Sequence, residues 1–212
     1  MNMKYEDVLK CFSTRPFFET SDVLTMFSED EAQVLPRLSR WVGTGKLVRL
    51  RRGKYMLPSH YQTLAPHPFY ISNYLYSPSY ISLYTALEYY KLIPEHTQVV
   101  QSVTTRDTRS WHTPLGNFHY HSLKTIRFSG YALISLGNHS QQHALIATPE
   151  KALVDICLLN SGEWDLKRWG SLRMQNTEGL DPEVLFGFAR NISSRKLGRG
   201  MDALIQILQE AQ

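Results

Sequence analysis

Acidic side chains are missing from a long stretch of this chain: between Ala32 and Leu87 there is no Asp or Glu at all. Cysteine is nearly absent as well, with only Cys11 and Cys157 present, far apart in sequence and each among apolar residues in a predicted helix. That excludes a disulfide-stapled scaffold and points to reduced, buried thiols and a cytoplasmic protein. No run of about 18 apolar residues occurs, so no membrane span is expected. The first residues, Met1-Asn2-Met3-Lys4-Tyr5-Glu6-Asp7, lack the apolar segment that a signal peptide needs. Internal repeats and low-complexity tracts are lacking too. What remains is an ordinary globular composition, 42% hydrophobic and 20% charged over 212 residues, enough for one large domain or two small ones.

The net charge of +4 is mild, and its distribution matters more than its size. Within the acid-free stretch stand Arg37, Arg40, Lys46, Arg49, Arg51, Arg52 and Lys54. They fall on a pattern that reads as a helix followed by a tight β-hairpin. Phosphates supply a dense line of negative charge, so a helix that fits the major groove with a cationic hairpin beside it is a device for binding DNA.

The local pattern supports that order of elements. Lys4 to Thr14 reads as a first helix, with Val8, Leu9, Cys11 and Phe12 on one side, ended by Arg15-Pro16. Ser21 to Phe27 reads as a second, capped by Thr20 or Ser21. Ser28-Glu29-Asp30-Glu31 fits a capping box for a third, from about Glu29 to Val42, with Val34, Leu35, Leu38, Trp41 and Val42 as its apolar stripe. Pro36 is expected to kink that helix or break it in two. In the hairpin, Val48, Leu50, Tyr55 and Leu57 are expected on one face and Arg49, Lys54 and Met56 on the other, with Gly53 supplying the positive φ of the turn. Three helices and a hairpin is the order of a winged helix-turn-helix, placed here at residues 1–60.

Residues 61–78 read as a proline-bearing linker, whose aromatics Phe69, Tyr70, Tyr74 and Tyr76 imply that it packs against a surface. A mixed α+β domain with a helical tail is expected over residues 79–212. Ser79 would cap a helix from Tyr80 to about Leu92. Strands follow at Gln98–Thr104, Gly116–Ser122, Gly130–Leu136 and Gln142–Ala147. A helix opens with Thr148 as N-cap and Pro149 in its first turn, and two more lie near Pro182–Asn191 and Arg199–Ala211.

Two sets of residues resemble the AbiEi antitoxin family of bacterial type IV toxin–antitoxin systems. Gly45-Lys46-Leu47-Val48-Arg49-Leu50-Arg51-Arg52-Gly53-Lys54-Tyr55 looks like that family's wing. Ser79-Tyr80-Ile81-Ser82-Leu83-Tyr84-Thr85-Ala86-Leu87, Val103-Thr104-Thr105, Gly116-Asn117-Phe118-His119-Tyr120 and Ala147-Thr148-Pro149-Glu150-Lys151-Ala152-Leu153-Val154-Asp155, in that order, look like its second domain. The resemblance covers roughly residues 5–160. It implies repression of the protein's own operon by the N-terminal domain, and action of the second domain against a partner toxin of nucleotidyltransferase type. Pro36 departs from the usual recognition helix.

The expected DNA-binding residues are Gln33, Arg37 and Arg40 on helix three and Lys46, Arg49, Arg51, Arg52 and Lys54 around the hairpin, with Arg51 and Arg52 at its tip closest to phosphates or the minor groove. Trp41 and Tyr55 suit core packing better than stacking on nucleic acid. Other constellations are weaker. His119 and His121 lie two apart on a strand, with His112 nearby, but no further ligand is set by spacing, so no metal is expected. Gly43-Thr44-Gly45-Lys46 lacks the spacing of a phosphate loop, and there is no Gly-x-Ser-x-Gly elbow. Glu150 sits where the helix dipole favours an acid, and Asp155 reads as one ordinary acid further on. Arg190, Arg195, Lys196 and Arg199 form a second basic set, read as a solvated loop. The sequence thus predicts a DNA-binding autorepressor and antitoxin, not an enzyme, with no cofactor. The alternatives are a nuclease-like or other nucleic-acid-processing enzyme, or a ligand-responsive repressor without a toxin partner.

Overall fold

The computed structural model describes residues 3–137, 142–190 and 192–210. The expected ends of two helices at Asn191 and Ala211, and the first two residues of the N-terminal stretch, lie outside the described residues. The chain is α+β.

Its first part runs α1 (Tyr5–Phe12), β1 (Phe18–Glu19), α2 (Thr20–Phe27), α3 (Glu31–Gly43), β2 (Val48–Arg51) and β3 (Lys54–Met56), with the strands ordered β1-β3-β2. The amphipathic spacing of Val8, Phe12, Val23, Val34 and Leu38 buries all five in one core with Phe18, Leu47, Tyr55 and Leu57. Phe12 and Phe18 stack at 4.2 Å between ring centroids. Gly53, at φ +78°, makes the hairpin turn.

Three local expectations are corrected here. The capping box at Ser28 does not form. Ser28 ends α2 in a left-handed conformation (φ 49°), and α3 begins after Asp30. Glu29, the expected first residue of α3, is instead drawn inward by the Met3 N–H and Arg37. The N-cap of α2 likewise moves from Thr20 or Ser21 to Glu19, whose N–H donates to the Asp22 carboxylate at 2.7 Å. Finally, α3 does not break at Pro36. The Ala32 carbonyl that loses its donor lies in the exposed first turn, where a helix tolerates proline because solvent can reach the carbonyl.

The second part is built on a six-stranded mixed sheet of order β6-β7-β5-β4-β9-β8. Its strands are β4 (Ser79–Ile81), β5 (Val99–Thr104), β6 (Arg109–Thr113), β7 (Gly116–Ser122), β8 (Tyr131–Ser135) and β9 (His143–Ala147). Its helices are α4 (Pro68–Leu75), α5 (Leu83–Tyr89), α6 (Pro149–Leu159), α7 (Leu166–Gly170), α8 (Pro182–Arg190) and α9 (Arg195–Glu210). Ser79–Ile81 is a strand and not the start of a helix. It lies between β5 and β9, with Tyr80 opposite Val103 and Ile81 beside Ile146, so three consecutive fully covered residues are satisfied by sheet pairing. The helical pattern resumes only at Leu83.

Strand alternation gives the sheet two faces. Tyr80 and Val103 look toward α6, with α5, α8 and α9 building the larger core there. The opposite face carries Val100, Phe118 and Tyr120 and is covered twice. Helix α4, inside the segment read as a linker, lays Ile71 and Leu75 on it, and Ser72 Oγ meets Ser102 Oγ at 2.8 Å. The hairpin of the first part covers the rest with Val48, Leu50 and Met56. The expected division of hairpin faces is therefore corrected. Tyr55 and Leu57 enter the N-terminal core, whereas Val48 and Leu50 join Met56 on the face toward the sheet. The cause is a register shift between Arg49 and Arg51, which the sequence pattern does not encode.

Candidate nucleic-acid interface

The seven cations of the acid-free stretch divide into two groups. Arg37, on α3, pairs with Glu29 at 2.7 Å and donates to the Met3 carbonyl at 3.3 Å. Glu29 is almost fully covered, so this pair ties the N-terminus to α3 and fixes the guanidinium there. Lys54 is bound to Glu19 on the neighbouring strand, and its ammonium lies 3.8 Å from the Tyr74 ring centroid. Arg51, expected at the hairpin tip facing DNA, turns the other way. It donates to the Leu75 carbonyl at 2.7 Å and lies 5.4 Å over the Trp111 ring. These three side chains hold the fold together.

The other four cations stay at the surface. Arg40 is exposed on the last turns of α3. Lys46 is exposed in the loop after α3, its ammonium 4.9 Å from the Tyr5 ring centroid. Arg49 is exposed on β2, and Arg52 is exposed in the turn beside Gly53. Gln33 is exposed on α3, one turn before Arg37. The structure thus leaves a helix and a hairpin presenting Gln33, Arg40, Lys46, Arg49 and Arg52 to solvent. Trp41 and Tyr55 are spent on packing: Tyr55 is buried, and Trp41 meets Tyr5 edge-on at 5.5 Å.

The second part adds cations that the sequence reading passed over. The loop from β5 to β6 carries Arg106, and β6 begins at Arg109, both exposed. With Arg51, Arg52, Tyr76 and Trp111 they line an open concavity of about 390 Å³ beside the hairpin tip. The signal was weak, because β6 (Arg-Ser-Trp-His-Thr) has a single large apolar residue and does not read as a strand.

The remaining candidates resolve as follows. His119 and His121 sit on the α6 side of the sheet with ring centroids 4.2 Å apart. Burial, and then the neighbouring His119, push the His121 imidazole down to about 4, so it stays neutral near pH 7. His112 bonds Asn117 at 2.8 Å, and among the described residues no three His, Cys, Asp or Glu side chains are grouped to hold a metal.

Asp155 is not an ordinary surface acid. It is wholly buried and binds Lys151, Tyr80 Oη (2.9 Å) and Ser82 Oγ (2.8 Å). Burial raises its carboxyl above the usual range, and Lys151 and the two hydroxyls act against that rise. Glu150 is also buried, accepting weakly from the Asp181 N–H at 3.4 Å. Of the second basic set, Arg190 pairs with Glu183, Arg199 with Glu163, and Lys196 donates to the Asn160 carbonyl. Cys157 is buried, and burial lifts its thiol to about 11, which keeps it protonated and inert. A cavity of about 400 Å³ lies between α6, α8 and the segment before β8, with Arg127 and Lys151 among its lining residues.

No protein-family model matches the chain, and neither does any curated protein. Among the described residues no helix is long and apolar enough to cross a membrane.

Proposed function

We propose that this chain is a DNA-binding transcriptional autorepressor and the antitoxin of an AbiE-like type IV toxin–antitoxin system. The observation that carries the DNA-binding half is the exposed set Arg40, Lys46, Arg49 and Arg52, on a helix, the loop after it and a hairpin within 56 residues that hold no acid. In this reading residues 1–60 are a winged helix-turn-helix. The order α1-β1-α2-α3-β2-β3 and the sheet order β1-β3-β2 support it. Helix α3 would enter the major groove with Gln33 and Arg40 toward base edges or phosphates. Lys46, Arg49 and Arg52 would take backbone phosphates, with Arg52 nearest the minor groove. Arg37, Arg51 and Lys54 would orient the helix and hairpin instead of touching DNA. The partner is double-stranded DNA of the protein's own promoter.

The antitoxin half rests on the resemblance of residues 79–155, and its functional partner is a nucleotidyltransferase-like toxin. In this reading the protein is cytoplasmic and is not an enzyme. A nuclease-like site at Glu150 and Asp155 finds no support in the geometry, since Asp155 is enclosed and its oxygens are committed to three donors. A second reading, a ligand-responsive repressor, is favoured by the 400 Å³ cavity with Arg127 at its wall.

A reporter gene placed behind the region upstream of this gene tests the main reading. The wild-type chain should repress it, and Arg40→Ala/Arg49→Ala/Arg52→Ala should release it while accumulating normally. Equal repression by both chains would remove the assignment. Co-expression with an adjacent nucleotidyltransferase-like gene tests the antitoxin half. The triple variant should still rescue growth if neutralisation belongs to the second domain, and loss of rescue would reduce the protein to a repressor.

A further inference from the structure

We propose that the second domain carries its own phosphate-binding station for duplex DNA, made by Arg106 and Arg109 and continuous with the hairpin through Arg52. The inference rests on the reading that the hairpin binds DNA, and it extends the contact to a region that reading leaves idle.

The geometry begins with the wall between the two parts of the molecule. Trp111, on β6, meets Tyr76 and Tyr120 edge-on at 4.7 and 5.1 Å. Arg51 lies over the Trp111 ring and is anchored to the Leu75 carbonyl. Arg106 is held similarly, 4.9 Å over Tyr76, with a long bond of 3.4 Å to the Ser77 carbonyl. Arg109 precedes Trp111 by two positions on the same strand, so its side chain leaves from the same face. Arg52 reaches the rim from the hairpin turn.

Three exposed guanidinium groups, Arg52, Arg106 and Arg109, therefore border one concavity of about 390 Å³ beside the committed Arg51, with Asp107 the only acid among the described residues of its lining. Like charges gathered so closely repel one another, and aromatic faces offset little of that repulsion at an exposed site. The arrangement fits a surface whose anion comes from outside. Arg106, resting on Tyr76 and bonded to one carbonyl, has further N–H donors for a phosphate oxygen.

Two features identify the anion as a duplex backbone. The concavity is shallow and open to solvent on the side where Arg52, Arg106 and Arg109 are exposed, which suits a passing chain of phosphates better than an enclosed small molecule. The aromatic rings are already engaged, Trp111 by Arg51 and by two tyrosines, so they offer little for stacking unpaired bases. Arg52 belongs both to this site and to the hairpin, where Arg49 is exposed three positions earlier, so one backbone can run from one to the other.

The test is equilibrium binding of the full-length chain to a duplex from upstream of its own gene, measured from about 50 to about 200 mM salt. Arg106→Ala/Arg109→Ala should reduce the slope of log K against log salt by about 1.8, close to 0.9 for each lost contact. The loss should be the same on a scrambled duplex, because phosphates carry no sequence information. Arg106→Lys/Arg109→Lys should keep most of the slope, which separates lost charge from a disturbed fold. A wild-type chain that binds no duplex overturns the DNA reading and this site with it. A wild-type chain that binds, with a slope unchanged in the double Ala variant, overturns this site alone. A slope lost equally in the Ala and Lys variants also overturns it, since that marks a structural effect.

Discussion

A single buried carboxylate shows how much one residue can hold. Asp155 gathers the Lys151 ammonium from its own helix and two hydroxyls from β4 and the residue after it, joining α6 to the centre of the sheet. Removing one partner of such a pair leaves the other charged in a place where water cannot reach it. Asp155→Ala should therefore cost about 3–5 kcal/mol in urea unfolding. Replacing both partners with apolar residues, Lys151→Met/Asp155→Leu, should return most of that loss. A single-variant cost below about 1 kcal/mol would show that the pair is solvated and contributes little. Sequence alone gave no hint of this role. The i, i+4 spacing of Lys151 and Asp155 is legible, but the two hydroxyls come from residues more than seventy positions earlier. The same holds for the cations. Their crowding could be read directly, but which of them are free could not, because Glu29, Glu19 and the Leu75 carbonyl are brought to them by the fold.

Among the elements, those with strong local signals were readable. Thr148 accepts from the Lys151 N–H at 3.3 Å and Pro149 opens α6, as a capping residue followed by proline predicts. Four strands of the sheet, β5, β7, β8 and β9, begin and end within a residue or two of the alternation that announced them. The elements that escaped are those whose pattern is set by neighbours. Strand β6 is polar because it is an edge, and α4 is short and aromatic because it shares one face of the sheet with the hairpin. Strand β4 reads as helix because both its faces are covered. Helix α9 supplies a test of close approach. Gly200 faces α6, and a β-carbon there would fall 2.5 Å from Cys157 Sγ and 3.2 Å from Trp164 Cβ. Ala is the better helix former by about 1 kcal/mol, but overpacking of this kind costs roughly 1–3 kcal/mol. Gly200→Ala should thus lower the melting temperature, and Gly200→Ala/Cys157→Ala should recover it. A single variant that melts higher than wild type would mean that the two helices part without penalty.

On the scale of the whole molecule, the hairpin is shared property. One face carries Tyr55 into the N-terminal core, while the other sets Leu50 and Met56 on the sheet of the second part. The segment between them is packed, with α4 buried at Ile71, Ser72 and Leu75. DNA held by α3 and the hairpin would therefore be held by a surface fixed relative to the sheet, which is why cations on both parts can act on one duplex. The central claim is that the exposed cations of α3 and the hairpin bind DNA, while their committed neighbours only shape the surface. The most direct measurement is the salt dependence of binding to a duplex from upstream of this gene, comparing wild type with Arg40→Ala/Arg49→Ala/Arg52→Ala and with Lys54→Met. The triple variant should lose close to 2.7 from the slope, about 0.9 per phosphate contact, and Lys54→Met should leave the slope where it was. A triple variant with the wild-type slope, or a Lys54→Met chain that loses as much per residue, would contradict the account.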